Sequence, residues 1–250
     1  TAPAAGRLVL VRGTGSVPND AEKSYARSVT LRLDRWLSEM GLTHDVITDE
    51  QVSSAALGGA KVVILGYNPS LPKTELAALR SFVVRGGRVI VFYSSDPGLA
   101  SLLDMKLGEY KASDVLGQWS GFRFNASAPE HLPGTVRQES RNIRPVQPAS
   151  KKAKIIAAWE NASGKATGDP AWVLAERGAW MSHVLLDDGD TRHKQRMLLG
   201  LIGHFDAAAW APAAKCYVEE AGKLGGYANF QTAREDLSRR AGYAANPGLA

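Results

Sequence analysis

The chain has 250 residues, 44% of them apolar and 22% charged, a composition that suits one large domain, or one domain with an appendage, and excludes fibrous and tail-only readings. The net charge is +5, yet lysines and arginines are scattered among acids and only Lys151, Lys152 and Lys154 cluster, so no basic face for nucleic acid is expected. The single cysteine, Cys216, excludes an internal disulfide and a multi-cysteine zinc site, and no stretch approaches the ~18 apolar residues of a membrane span.

The first residues, Thr1 to Gly6, are small and unlike the interior, as on the mature side of a signal-peptide cleavage site, so a secreted or periplasmic location is expected. Leu8 to Val11 read as a strand, followed by a glycine-containing loop from Arg12 to Asp20. Asn19 and Glu22 have the spacing of a capping box. Tyr25, Val29, Leu33, Trp36 and Met40 then recur every three or four residues, the pattern of an amphipathic helix that Gly41 closes. Thr43 to Thr48 and Lys61 to Leu65 read as the second and third strands. Pro72 opens a helix with Leu76, Leu79, Phe82 and Val83 inward, Gly86 stops it, and Arg88 to Tyr93 form the fourth strand.

From about Met105 to Pro148, within an insertion spanning 105–150, glycines, four prolines and short aromatic pieces predict irregular structure with short strands, lying over the sheet. Lys154 to Trp159, Trp172 to Ala175 and Ala179 to Leu185 read as strands that complete the sheet, the last two as a hairpin around Arg177-Gly178. Thr191 to Phe205 is a helix with Leu198, Leu201, Ile202 and Phe205 on one face, where Gly200 and Gly203 permit close packing. Cys216 sits as a packing residue in the helical run Pro212 to Gly222. The division is thus an α/β domain over 1–210 and a more polar helical extension or linker over 211–250. Strands alternating with helices predict an α/β fold with a mostly parallel sheet covered on both faces.

In such sheets ligands bind beyond the carboxyl ends of the strands, here the loops Arg12 to Asp20, Gly66 to Leu71 and Ser94 to Gly98. The strand ending at Tyr93 delivers Ser94 and Ser95 to the strand-to-helix turn, where α/β enzymes place a nucleophile, although no G-x-S-x-G surrounds them. The other reading of the same turn is that Ser94, Ser95 or Asp96 caps the helix that Pro97 begins. Tyr67 and Asn68, after the third strand, and Tyr93 and Ser94, after the fourth, hold the best positions for a ligand. Gly13-Thr-Gly15 follows the first strand as a phosphate loop would, but Pro18 stands where a third glycine is wanted and no Lys-Ser/Thr follows. Trp119, Phe122 and Phe124 have two readings, sugar stacking and burial under the insertion. His193 and His204, on one helix and roughly 16 Å apart at 1.5 Å per residue, cannot share a metal, so neither metal nor cofactor is expected.

Two segments, Gly178-Ala-Trp-Met-Ser-His-Val-Leu-Leu-Asp-Asp188 and Lys194-Gln-Arg-Met-Leu-Leu-Gly-Leu-Ile-Gly-His204, carry a family resemblance. With the order of elements over residues 7–210, the chain resembles the class I glutamine amidotransferase-like, or flavodoxin-like, fold. It is similar in particular to the amidotransferase-like domain at the N-terminus of secreted, family 10-like glycoside-hydrolase proteins. The resemblance implies a cysteine at the turn after Arg88 to Tyr93, where this chain has Ser94 and Ser95, and a histidine near an acid, matched by His183 and Asp187. It implies a non-catalytic accessory or assembly domain of a secreted glycoside hydrolase that binds carbohydrate, an adjoining catalytic domain or further copies of itself, as the non-catalytic trimerisation domains of some β-galactosidases do. The alternative is a serine hydrolase using Ser94 or Ser95 with His183.

Overall fold

The structure, a computed structural model, describes residues 7–227 and most positions from 229 to 239; Thr1 to Gly6 and residues 240–250, with the expectations that fall on them, lie outside the described residues. In chain order the first half contains β1 (Arg7–Arg12), α1 (Asp20–Glu39), β2 (His44–Thr48), β3 (Ala60–Leu65), α2 (Lys73–Val84), β4 (Arg88–Val91) and α3 (Pro97–Leu102). The second half contains β5 (Met105–Leu107), β6 (Lys111–Ala112), β7 (Trp119–Phe124), β8 (Thr135–Ser140), β9 (Asn142–Ile143), β10 (Val146–Pro148), β11 (Lys154–Glu160), β12 (Ala166–Ala175), β13 (Gly178–Met181), α4 (Thr191–Phe205) and α5 (Trp210–Gly225).

Nine strands form the main sheet in the order β2-β1-β3-β4-β13-β12-β11-β7-β8. The run from β2 through β4 to β13 is parallel, and from β13 to β8 every pairing is antiparallel. The sheet is therefore mixed, a correction to the mostly parallel sheet read from the sequence. Parallel neighbours need long crossovers, which α1 and α2 supply, whereas β11, β12 and β13 follow one another through short turns that reverse direction. The insertion is corrected in the same way. Its two longest pieces, β7 and β8, extend the sheet edge rather than lie over it, and only the short pairs β5 with β10 and β6 with β9 stand apart. Alternation explains the difference: Val136, Gln138 and Ser140 of β8 point inward while Arg137 and Glu139 point out.

Helices cover both faces, as expected. Leu8 and Leu10 of β1 pack with Val29, Leu33 and Trp36 of α1 and Leu198 and Ile202 of α4. The alternate residues Val9 and Val11 face the other way, onto Leu79 and Phe82 of α2 and Leu99 of α3. Trp119 and Phe122, one of whose readings was sugar stacking, are fully buried in the first of these clusters, and Phe124 packs against it. Trp119 turns its Nε1–H to Asp169 at 3.0 Å.

Close approach decides two glycines. A Cβ on Gly203 would lie 2.3 Å from the Trp210 ring, so this glycine makes room on α4 for the residue that opens α5. At Gly178 a Cβ would lie 2.1 Å from the Val89 carbonyl oxygen, inside the β4–β13 pairing. Gly178→Ala is expected to cost about 2 kcal/mol by forcing these two central strands apart, seen as a lowered urea midpoint; an unchanged midpoint would mean that the junction relaxes without penalty.

Candidate functional site

The carboxyl ends of β1, β3 and β4 converge as expected, and the polar groups there are engaged first with one another. The loop Gly13 to Ser16 closes around the Asp49 carboxylate, which accepts from the backbone N–H groups of Thr14 at 2.9 Å, Gly15 at 3.0 Å and Ser16 at 2.7 Å. Burial alone would raise the Asp49 pKa, but these donors outweigh it and hold the group below its ordinary value. A protein carboxylate thus fills the place that a phosphate would take. Asp49 was missed in the sequence because it follows an edge strand and meets its partners more than thirty residues away.

At the turn after β4, Asp96 is the cap: its Oδ1 accepts from Leu99 N–H at 2.8 Å and opens α3. Ser94 is fully buried and its Oγ accepts from Asp96 N–H at 3.2 Å. Ser95 gives its hydroxyl to the Pro69 carbonyl at 2.5 Å and its N–H to the same oxygen at 2.8 Å, tying this turn to the loop after β3.

The late strand ends at Met181, so His183 lies past it and not within it, a correction to the Ala179 to Leu185 strand. The parallel pairing of β13 with β4 still brings Ser182 and His183 to the same end of the sheet as Tyr93 and Ser94. Nδ1 of His183 lies 3.0 Å from the Val184 carbonyl, which also accepts from Gln138 Nε2 at 2.9 Å. This oxygen can only accept, and its contact is shorter than the 3.4 Å approach of Gln138 Nε2 to the same nitrogen, which assigns the proton to Nδ1 and the lone pair to Nε2. Burial pulls the His183 pKa down, against the Val184 hydrogen bond and the Asp188 charge, so the surroundings favour the neutral ring. Asp187 turns elsewhere, to Arg35 Nη2 at 3.3 Å and Arg32 Nε at 3.9 Å on α1. Neither Ser94 nor Ser95 hydrogen-bonds His183, and Asp187 does not orient it.

What these elements do build is a cleft of about 390 Å³, lined by Glu22, Tyr25, Tyr67, Tyr93, Tyr110, Asn142, His183 and Val184. Tyr67 and Tyr93 stack at 5.4 Å with an interplanar angle of 19°, and Tyr25 meets Tyr67 edge-on at 5.0 Å. The Tyr67 hydroxyl donates to Glu22 Oε2, and burial followed by that bond raises its pKa. Of the four residues singled out for ligand contact, Tyr67 and Tyr93 line the cleft. Asn68 and Ser94 do not; both are fully buried, and the Asn68 amide has no partner. Tyr25, Tyr110, Asn142 and Glu22 were not singled out. Glu22 reads in sequence as half of a capping box, and Asn19 does accept from its N–H at 2.9 Å, but its carboxylate leaves the helix for Tyr67. A larger groove of about 440 Å³ along β7 and β8 lies away from the parallel strand ends and carries the Arg123–Glu160 ion pair. Among the described residues no group of three or more His, Cys, Asp or Glu side chains is placed to hold a metal, and no helix is long and apolar enough to cross a membrane.

No protein-family model and no curated protein sequence matches this chain. Solved structures do. A ThuA-like protein from Bacteroides uniformis superposes with a TM-score of 0.60 at 16% identity, covering 85% of this chain and 93% of that one. A GMP synthase protein from Thermoplasma acidophilum gives 0.52 at 11% identity over 85% of this chain and 96% of that one. The cold-adapted β-galactosidase from Rahnella sp. R3 gives 0.59 at 15% identity over 80% of this chain, which spans only 31% of the enzyme's length. At these identities the likeness is one of fold: an amidotransferase-like α/β domain that also recurs inside larger glycoside hydrolases.

Proposed function

We propose that this chain is a non-catalytic, amidotransferase-like accessory domain of a secreted glycoside hydrolase, and that it binds carbohydrate in the tyrosine-lined cleft. The observation that carries the reading is the contrast between the turn and the cleft. The hydroxyls of Ser94 and Ser95 are engaged in holding the turn together, and among the described residues no base lies in hydrogen-bond reach of either. In the cleft, aromatic rings stand beside polar atoms left open: among the described residues Tyr93, Tyr25 and Tyr110 have no hydrogen-bond partner for their hydroxyls, and Nε2 of His183 has none either. Apolar ring faces flanked by open donors and acceptors suit a sugar, whose faces are apolar and whose edges are polar. The occurrence of this fold within β-galactosidases supports the glycoside-hydrolase setting, in which the domain would contact an adjoining catalytic domain or further copies of itself.

Isothermal titration against a panel of mono- and disaccharides tests the reading. Saturable binding to the wild type that falls at least about tenfold in Tyr67→Ala supports it, and no binding across the panel overturns it. The serine-hydrolase alternative predicts that a fluorophosphonate probe labels the wild type and spares Ser94→Ala and Ser95→Ala. We expect no labelling above background in any of the three; labelling that either substitution abolishes would restore the enzyme reading.

A further inference from the structure

The charge and hydrogen-bonding capacity of the cleft narrow the kind of sugar it takes. Of its eight lining residues one is an acid, Glu22, and none is a lysine or arginine. Arg144 acts on the Tyr93 hydroxyl and Arg32 on the Tyr25 hydroxyl, but neither lines the cleft. The formal charge carried by the lining itself is therefore negative.

Beside the open hydroxyls of Tyr25, Tyr93 and Tyr110, which can donate or accept, the cleft holds three atoms that can only accept. Glu22 Oε2 is taken by the Tyr67 hydroxyl, while Oε1 has no partner among the described residues. The Tyr67 hydroxyl has used its proton on that bond and offers the cleft only lone pairs. His183 is 7% exposed, its Nδ1 edge is fastened to Val184, and the opposite edge, carrying the unpartnered Nε2 lone pair, is the one left for the cleft. Three acceptors thus belong to residues that line one cleft with the stacked Tyr67 and Tyr93. An alkylammonium brings three donors, no acceptor and a positive charge that aromatic faces attract. A carboxylate would meet the Glu22 charge, with only neutral tyrosine hydroxyls and the Asn142 amide to donate to it.

Resting on the carbohydrate reading above, we propose that the cleft selects a cationic amino sugar over neutral and acidic sugars, the ammonium being held between Glu22 Oε1, His183 Nε2 and the Tyr67–Tyr93 rings. The test is titration calorimetry of the wild-type protein with glucosamine, N-acetylglucosamine, glucose and glucuronate, repeated with Glu22→Gln. Glucosamine is expected to bind about tenfold more tightly than glucose, with glucuronate weakest. N-acetylation is expected to erase the advantage in the wild type, a comparison that needs no variant to fold. Glu22→Gln is expected to bring glucosamine and glucose within about twofold of each other. Equal affinity of the wild type for glucosamine and glucose would overturn the selection while leaving the carbohydrate reading in place. Binding of ethanolamine as tight as that of glucosamine would overturn it too, since the sugar ring would then contribute nothing. Binding of none of the four sugars would overturn both readings.

Discussion

Replacing Asp188 by Asn is expected to destabilise the fold by about 3 kcal/mol, because it strips the counter-charge from a lysine that has no access to water. Lys194, on the first turn of α4, is 0% exposed; its ammonium forms an ion pair with Asp188 and donates to the Leu186 carbonyl at 2.8 Å. Burial pulls the Lys194 pKa down, and the Asp188 hydrogen bond and charge, with the charge of Asp190 behind them, push it back up, so Asp188 is the main support for an ammonium inside the protein. Asp188 also accepts from Glu139 N–H at 2.7 Å, and Asp190 from Arg137 N–H at 2.7 Å, so the acidic loop after His183 is pinned to the outermost strand β8 as well as to α4. Denaturant unfolding of Asp188→Asn, Lys194→Met and the double variant measures the effect. The double variant is expected to be more stable than Asp188→Asn, since it removes the stranded charge and leaves an apolar chain of similar length. If Asp188→Asn alone costs under about 0.5 kcal/mol, Lys194 has found another partner or water, and the pair is not what fastens this loop.

The second large effect is a pH dependence centred on Glu75. This residue, in the first turn of α2, is 0% exposed and neither carboxyl oxygen has a hydrogen-bond partner. Burial, then the charges of Asp49 and Asp96, raise its pKa to about 9 from an ordinary 4.5. A folded-state pKa above the unfolded one means that between these values the native protein keeps a proton the unfolded chain releases. Stability therefore falls as pH rises through this window, by up to about 1.4 kcal/mol per pH unit. The contribution is most favourable below pH 4.5 and is lost progressively up to pH 9. Glu75→Gln removes the ionisation while keeping the shape. We expect urea unfolding between pH 5 and 9 to show a decline in the wild type that the variant lacks, with the variant about 3 kcal/mol more stable at pH 8.5, less than the full linkage because its amide is also buried without a partner. Parallel pH profiles for the two proteins would show that Glu75 is ionised in the fold and hydrated.

How far the sequence reaches can be judged element by element. Asn19, Pro72 and Gly86 bracket α1 and α2 within a residue or two, because caps and breakers act through backbone groups close by in sequence. The apolar runs of β1, β3 and β4 are legible because strands buried on both faces leave no room for polar residues. Asp96 reads directly as one of three capping candidates at its turn, and α3 begins there. The direction of β7, β8 and β11 to β13 is not legible, since a run of alternating residues looks the same whichever neighbour it pairs with. The same limit applies to the site. Tyr67 and Tyr93 stand at strand ends, so their address is local, but Tyr25 and Glu22 come from the first turns of α1, and Tyr110 and Asn142 come from the short β6–β9 region.

Residue type and short-range contacts were enough to establish the α/β class, the positions of the first four strands and two helices, and Ser94 and Ser95 at the turn after the fourth strand. All of these can be read within a few positions along the chain. Tertiary structure alone decided that Asp187 faces Arg35 and not His183, that Glu22 leaves its helix for Tyr67, and that the second half of the sheet runs antiparallel. Each of those outcomes is a choice among partners far apart in sequence. That choice is made by which groups share a buried volume once the sheet has closed, and there a carboxylate or an imidazole must find a partner or remain open to a ligand.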